Sequence, residues 1–224
     1  MNSGNRRIGL YGGTFDPVHQ GHLAVARGLL TGFNLDEVRF IPAYSAPHKP
    51  HLSATPALQR YAMLALATAN DPALRISTIE LDAPARPFTV ETLTAVRAAE
   101  DPATRLFFIM GADSWADILT WREYERVLAM TDHVVVTRPG SSVSCAHVSE
   151  AIRGRVVDVQ GMDPHAIGAE LERRSGPNIF LSDVAFREVS AQAIRQAVHD
   201  GATDWQEHVS PEVEEFIEKY GLYK

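Results

Sequence analysis

Two histidines three positions apart, His19 and His22, follow closely on a double glycine in the string Gly12-Gly13-Thr14-Phe15-Asp16-Pro17-Val18-His19-Gln20-Gly21-His22-Leu23. The glycines clear side chains from a place where the backbone turns sharply and can approach a ligand closely. A helix starting near His19 aims its free N–H groups and its dipole at that place, which favours an anion. Both imidazoles then stand on the first helical turn, beside any phosphate bound there. The string is neither a Walker A loop, which needs a Gly-Lys-Ser/Thr ending, nor a GxGxxG dinucleotide loop. A tight strand–helix turn with two surface histidines is the blander alternative, and it would suffice for the double glycine alone. Two histidines directly after the loop tip the reading towards an anion site. A second pair, His48 and His51, invites comparison with a four-histidine zinc site. Neither pair has the Glu or Cys partners of familiar zinc motifs, and Pro50 constrains the second, so no metal ligand is assigned to the protein.

The elements that would position this loop alternate along the whole chain. Ile8–Tyr11 reads as a buried strand ended by Gly12-Gly13, and Gly21–Leu30 as a helix with Gly32 as its C-cap. Glu37–Ile41 is a second strand closed by Pro42, and residues 43–55 form a Pro-, His- and Ser-rich loop long enough to be functional. A helix starts at Thr55-Pro56, with Thr as cap and Pro in the first turn. Strand Leu74–Ile79 and helix Thr89–Ala99 come next, then the apolar run Arg105–Met110, the pattern of a strand covered on both faces. Ser114–Met130 reads as helical with a break near Thr120-Trp121, and His133–Thr137 as another buried strand. Residues 141–176 are harder to place: a helix, a strand at Val156–Val159 and a polar helix to Arg174. Strand Asn178–Leu181 and helices Ala191–His199 and Pro211–Lys219 complete the pattern. Parallel strands need crossovers, so the alternation predicts an α/β fold: a Rossmann-like doubly wound sheet, mostly parallel, with helices on both faces and a C-terminal helical region. Ligands of such sheets bind beyond the carboxyl ends of the strands near the switch point. The loops after strands one, two, four and five are therefore the expected site.

The 224 residues are 45% apolar and 22% charged, which excludes a disordered chain and suits one large core, read as a single domain over 1–224. Twenty-one Lys and Arg against twenty-eight Asp and Glu give a net charge of −7, so no basic footprint for nucleic acid or an anionic membrane is expected. One cysteine, Cys145, excludes an internal disulfide and fits a reducing compartment. No apolar run approaches the ~20 residues of a membrane span, and Met1–Arg7 carries no signal-peptide core. A soluble, cytoplasmic protein is the expectation.

His19-Gln20-Gly21-His22 matches the His-x-Gly-His mark of a nucleotidyltransferase superfamily, and the longer string from Gly12 resembles bacterial nicotinate-nucleotide adenylyltransferases in particular. Ala46-Pro47-His48-Lys49 resembles that family's Pro-Pro-His-Lys loop, with Ala for the first Pro. Pro87-Phe88-Thr89-Val90-Glu91-Thr92-Leu93 is similar to its Ser-Tyr-Thr-x-Asp-Thr-Leu segment, with Phe for Tyr and Glu for Asp. Gly111-Ala112-Asp113-Ser114 matches Gly-x-Asp-Ser, and Thr120-Trp121-Arg122-Glu123-Tyr124 resembles the Trp-bearing segment that holds the pyridine ring. Val189-Ser190-Ala191-Gln192-Ala193-Ile194-Arg195 aligns with the second mark, Ile-Ser-Ser-Thr-x-Ile-Arg, but Ala191 and Gln192 lack its two hydroxyls. Pro211–Tyr223 looks like the family's closing helix. Residues 141–185 carry little motif information and stand out as a candidate divergent insertion.

The resemblance implies adenylyl transfer from ATP to nicotinate mononucleotide, giving deamido-NAD and pyrophosphate, with Mg2+ held mainly by the ATP phosphates. It implies His19, His22 and Arg195 as catalytic groups on the triphosphate, and Gly12, Gly13, Thr14, Phe15, Ser190 and Gln192 as further ATP contacts. Lys49 would meet a substrate phosphate, while Thr89, Asp113, Trp121 and the Arg122 backbone would hold the mononucleotide. An acidic side chain at a strand's carboxyl end suits ribose hydroxyls, and Asp also suits a helix N-cap. An indole offers a stacking surface, with N–H groups near Trp121 and Arg122 for the carboxylate. Gln192 is expected to stand in for the missing hydroxyls together with Arg195. The partners are thus the two nucleotides, with a homo-oligomer left open. Two alternatives are carried: another adenylyltransferase, acting on nicotinamide mononucleotide or pantetheine phosphate, and a non-catalytic nucleotide-binding module.

Overall fold

The computed structural model describes residues 6–44, 54–83, 87–184, 187 and 189–224. In chain order the elements are β1 (Arg7–Gly13), α1 (Gln20–Gly32), β2 (Glu37–Pro42), α2 (Ala57–Thr68), β3 (Leu74–Ile76), α3 (Thr89–Ala99), β4 (Arg105–Gly111), α4 (Ala112–Ala116), α5 (Tyr124–Met130), β5 (Asp132–Val136), α6 (Glu150–Arg153), β6 (Val156–Asp158), α7 (Pro164–Arg173), β7 (Ile179–Ser182), α8 (Ala191–His199) and α9 (Pro211–Tyr220). Among the described residues, all seven strands are parallel and lie in one sheet ordered β3-β2-β1-β4-β5-β7-β6. The expected doubly wound α/β sheet is therefore present. Its switch point lies between β1 and β4, where chain order turns from one side of the sheet to the other.

Alternation along the strands builds two cores. Val38, Phe40, Phe107, Ile109, Val134 and Phe180 face one side, with Leu29 of α1, Met63 of α2, Leu171 of α7 and Ile217 of α9. Ile8, Leu10, Leu106, Phe108, Val135 and Leu181 face the other, with Leu93 of α3, Trp115 of α4, Leu128 of α5 and Ile152 of α6. Both faces of β1 and β4 are covered, which is why their sequences read as continuous apolar runs.

Local ends differ from the sequence reading in physical detail. Pro56, not Thr55, takes the N-cap position of α2, and the Thr55 carbonyl instead accepts from the Arg60 guanidinium at 2.8 Å. Helix α1 continues through Gly32, and Phe33 closes it with its N–H on Leu29 O at 3.0 Å. Residues 141–185 supply β6 and β7, so this stretch extends the same sheet at its far edge. Among the described residues, no helix is long and apolar enough to cross a membrane.

Candidate active site

Loop geometry after β1 depends on Gly13. A Cβ there would meet the Phe15 ring at 2.9 Å, so glycine lets that ring fold back under the loop. Phe15 takes a left-handed φ of 50° and is buried, with its ring edge-on to Tyr11, Phe40 and His22 at centroid distances of 5.5, 5.3 and 5.0 Å. Such a backbone is strained for a bulky residue and persists here because the aromatic cluster fixes it. Arg60, almost wholly buried, fastens the loop from below. Its guanidinium donates to the carbonyls of Thr14 at 2.6 Å, Ala43 at 2.6 Å and Thr55 at 2.8 Å, joining three segments at the carboxyl end of the sheet.

His19 is the N-cap residue of α1, and its N–H donates to Nδ1 of His22 at 3.3 Å. That bond occupies the Nδ1 lone pair and leaves the other ring nitrogen of neutral His22 as the N–H donor. The two rings stack at 3.7 Å. Burial, then the His208 side chain, pushes His19 down to about 4; burial, then His19, pushes His22 well below its ordinary range. At neutral pH both are therefore uncharged hydrogen-bonding groups. The two surface histidines of the blander alternative are not found: His19 is 6% exposed and His22 half-buried, because the rings pack on each other and on Phe15. His19 Nδ1 is buried without a partner among the described residues. Gly21 makes the stack possible, since a Cβ there would lie 3.0 Å from that nitrogen.

These groups open into a cavity of about 890 Å³ at the carboxyl end of the sheet, large enough for a nucleotide pair. Every expected site residue that is described lines it: Gly12, Gly13, Thr14, Phe15, His19, His22, Thr89, Asp113, Trp121, Arg122, Ser190, Gln192 and Arg195. Lys49, and the Ala46-Pro47-His48 run before it, lie outside the described residues. The contributing loops follow β1, β2, β3, β4 and β7 rather than the expected one, two, four and five. The stretch after β5 turns away because Val143, Cys145 and Val148 pack into the second core, where the Trp115 indole donates to Ser144 O at 3.2 Å.

On the β4 side, Asp113 is exposed at the cavity, and its Oδ1 accepts from the Ser114 N–H at 2.8 Å. Gly111, not Asp113, is the N-cap residue of α4, so Asp113 holds a first-turn N–H from inside the helix rather than as its cap. Trp121 stands edge-on to Phe108 at 6.1 Å, half-exposed and facing the cavity. The Trp121 main-chain N–H is already bonded to Ile118 O at 3.0 Å. Of the two amides expected to take a carboxylate, only that of Arg122 is open among the described residues. The Arg122 guanidinium lies over the Phe88 ring at 4.8 Å and pairs with Glu91 at 3.6 Å. Phe88 thus keeps an aromatic platform without the tyrosine hydroxyl, and Glu91 also accepts the Phe88 N–H at 2.8 Å, closing the start of α3.

On the third side, Ser190 caps α8 through a long bond from the Ala193 N–H at 3.4 Å, and Gln192 is exposed at the rim. Arg195 is oriented by a donated bond to the Asp16 carbonyl at 2.6 Å. Several residues here were given no site role in the sequence reading: Tyr11, Asp16, Gly21, Arg60, Glu80 and Tyr223. Arg60 had left a signal, a cation among the apolar positions of α2, and so had Gly21, a glycine inside a helix. Glu80, whose carboxylate accepts from the Thr92 hydroxyl at 2.8 Å and is raised by burial, left none. Among the described residues, no group of three or more His, Cys, Asp or Glu could hold a metal ion.

Comparison with known proteins agrees with this geometry. The cytidylyltransferase-like family model matches residues 10–197. The chain is 35% identical over 219 residues to the probable nicotinate-nucleotide adenylyltransferase of Thermoanaerobacter sp. (strain X514), covering 97% of this chain and 94% of that one. It is 34% identical over 220 residues to the protein of the same name from Desulfatibacillum aliphaticivorans, covering 97% and 99%. The fold matches the nicotinic acid mononucleotide adenylyltransferase of Plasmodium falciparum complexed with NaAD, with a TM-score of 0.71, 18% identity and 98% of each chain covered. A family match over most of the chain, relatives aligned end to end and a shared fold converge: this chain belongs to the cytidylyltransferase-like family, alongside its nicotinate-nucleotide adenylyltransferases.

Proposed function

We infer that the chain, as a single nucleotidyltransferase domain, transfers the adenylyl group of ATP to nicotinate mononucleotide, a step of NAD biosynthesis that releases pyrophosphate. The observation that carries this reading is the stacked His19–His22 pair at the N-terminus of α1, opening into the same cavity as Asp113 and Trp121. One wall suits a triphosphate and the facing wall a pyridine ribonucleotide. An oxygen of the mononucleotide phosphate attacks the α-phosphorus in line. The new P–O bond forms as the bond to the bridging oxygen breaks, and pyrophosphate leaves with that electron pair. The attacking phosphate is already ionised at neutral pH, so the protein needs no nucleophile or general base. Its work is positioning and charge stabilisation.

The Gly12, Gly13 and Thr14 loop and the free N–H groups at the start of α1 face the phosphates. His19 and His22 enter neutral, and the charge of the bound triphosphate raises their proton affinity. Arg195 supplies a permanent cation, Ser190 and Gln192 meet ATP at the rim, and Lys49 meets a phosphate. Asp113 accepts from ribose hydroxyls, Trp121 stacks on the pyridine ring, and the Arg122 N–H takes its carboxylate beside Thr89. The described donor set offers no protein cage for a metal, which fits a Mg2+ carried by the ATP phosphates and water. That ion, when bound, screens phosphate charge. A free thiol at Cys145 and dependence on ATP suit the cytoplasm.

Pyrophosphate release from ATP, measured with nicotinate mononucleotide, nicotinamide mononucleotide and pantetheine phosphate as acceptors, tests the reading. The acid is expected to exceed its amide in kcat/KM by more than about tenfold, the worth of one charge-assisted bond. ATP binding without turnover on any acceptor would instead identify a binding module.

A further inference from the structure

Helix α9 ends at Gly221, whose φ of 60° is the left-handed conformation that glycine adopts freely, and the Leu222 N–H returns to Ile217 O at 3.0 Å. This turn sends Tyr223 back towards the loop after β1. There its hydroxyl donates to Asp16 Oδ1 at 2.7 Å. The other carboxylate oxygen accepts from the Thr55 N–H at 3.1 Å. Asp16 is 7% exposed, and its main-chain carbonyl accepts from Arg195 at 2.6 Å. One buried residue thus binds three distant segments: its carboxylate is anchored by Tyr223 and Thr55, and its carbonyl aims the guanidinium of Arg195. Tyr223 itself has a φ of 66°, a backbone that a tyrosine holds only where its surroundings fix it. Burial, then the Asp16 charge, pushes the phenol above its ordinary range, so it remains a donor at any physiological pH.

We propose that Tyr223 is a positioning residue for nucleotide binding: by anchoring the Asp16 carboxylate, it fixes the carbonyl that holds Arg195 in the cavity. The proposal deepens the assignment of Arg195 to the ATP triphosphate and rests on it. It does not depend on which acceptor the enzyme uses, because the linkage lies wholly on the ATP side. Tyr223 does not itself line the cavity; its hydrogen bond reaches the lining through Asp16, which does.

A double-mutant cycle separates positioning from mere packing. The dissociation constant of α,β-methylene-ATP is measured by calorimetry for the parent, Tyr223→Phe, Arg195→Ala and the double variant. Tyr223→Phe removes one oxygen and is expected to weaken binding about fivefold, the scale of one hydrogen bond. In the Arg195→Ala background the same change is expected to have no further effect. Asp16→Asn keeps the carbonyl but presents an N–H2 group to one of its two donors, so it gives a second reading of the same coupling should Tyr223→Phe fold poorly. Equal weakening in both backgrounds, or none in either, overturns the proposal. So does an Arg195→Ala protein that binds the analogue as the parent does. Pyrophosphate release measured in parallel keeps the two claims apart. Coupling without turnover on nicotinate mononucleotide leaves Tyr223 in its role and removes the acceptor assignment, whereas turnover without coupling does the reverse.

Discussion

Gly111→Ala separates the fold from the chemistry. A Cβ at Gly111 would lie 2.5 Å from Asp113 Oδ1, where ordinary contact starts at 3.4 Å, so about 0.9 Å must be recovered. The atom in the way is the far end of a short, exposed side chain, and the carboxylate can swing aside by rotating about its first side-chain bond. The backbone at Gly111, with φ −76° and ψ 163°, is one any residue adopts. The gain of roughly 0.4–1 kcal/mol from reduced freedom of the unfolded chain is offset by loss of the exposed Asp113–Ser114 bond, so the melt should shift little. The displaced Oδ1 leaves both the Ser114 N–H, now 2.8 Å away, and the position it would hold against a ribose hydroxyl. Losing a hydrogen bond to a charged acceptor costs about 1.5–3 kcal/mol, so kcat/KM for the mononucleotide should fall roughly ten- to a hundredfold. Steady-state titration of each substrate, with a thermal melt of the same preparation, reads both effects. Asp113→Ala should lose as much, and the double variant no more than Asp113→Ala alone. Unchanged kcat/KM for Gly111→Ala, or additive losses in the double variant, would refute the assignment of Asp113 to the substrate.

Replacing His22 by Ala should lower kcat by roughly two to four orders of magnitude while a thermal melt shows the fold intact; near-normal turnover would remove the histidine pair from the mechanism. Gln192→Thr should change the ATP KM by no more than about tenfold, because Gln192 is exposed at the rim while α8 keeps its own free N–H groups. A parent without turnover that this substitution activates would mark the native chain as a binding module. His133, fully buried on β5, is pushed from an ordinary 6.5 down to about 4, first by burial and then by Arg155, against a raising bond to Thr131 O. Between those values the unfolded chain binds a proton that the folded chain refuses, so stability falls as pH drops from about 6.5 to about 4, by some 3 kcal/mol for this group. Urea unfolding at pH 7 and pH 5 should show about 2 kcal/mol of that loss in the parent and less of it in His133→Phe; equal losses would contradict it.

What the sequence could disclose follows from how far each feature reaches along the chain. Strands β1 and β4 announce themselves because both faces are covered, and α3 and α8 were placed to the residue by local pattern. The short motifs identified the groups that line the cavity because motif residues lie close to one another in sequence. The Tyr223–Asp16 bond spans 207 positions and the Arg60–Thr14 bond 46, and no periodicity records such pairings. The role of Gly111 depends on where the Asp113 side chain rests, and the open Arg122 amide on a turn closed by Ile118. The loop after β5 was misjudged because strand order came only from pairing: β7 lies beside β5, with β6 beyond it at the edge.

The central claim is direct, in-line transfer of the adenylyl group from ATP to nicotinate mononucleotide. The stereochemical course of the reaction with ATP carrying a single chiral sulfur at the α-phosphorus tests it most directly. One displacement at that phosphorus gives a thio-substituted deamido-NAD of inverted configuration. Retention would mean two displacements through a covalent adenylyl-enzyme, and a product without sulfur would mean that the α-phosphoryl group is not the one transferred; either would contradict the account.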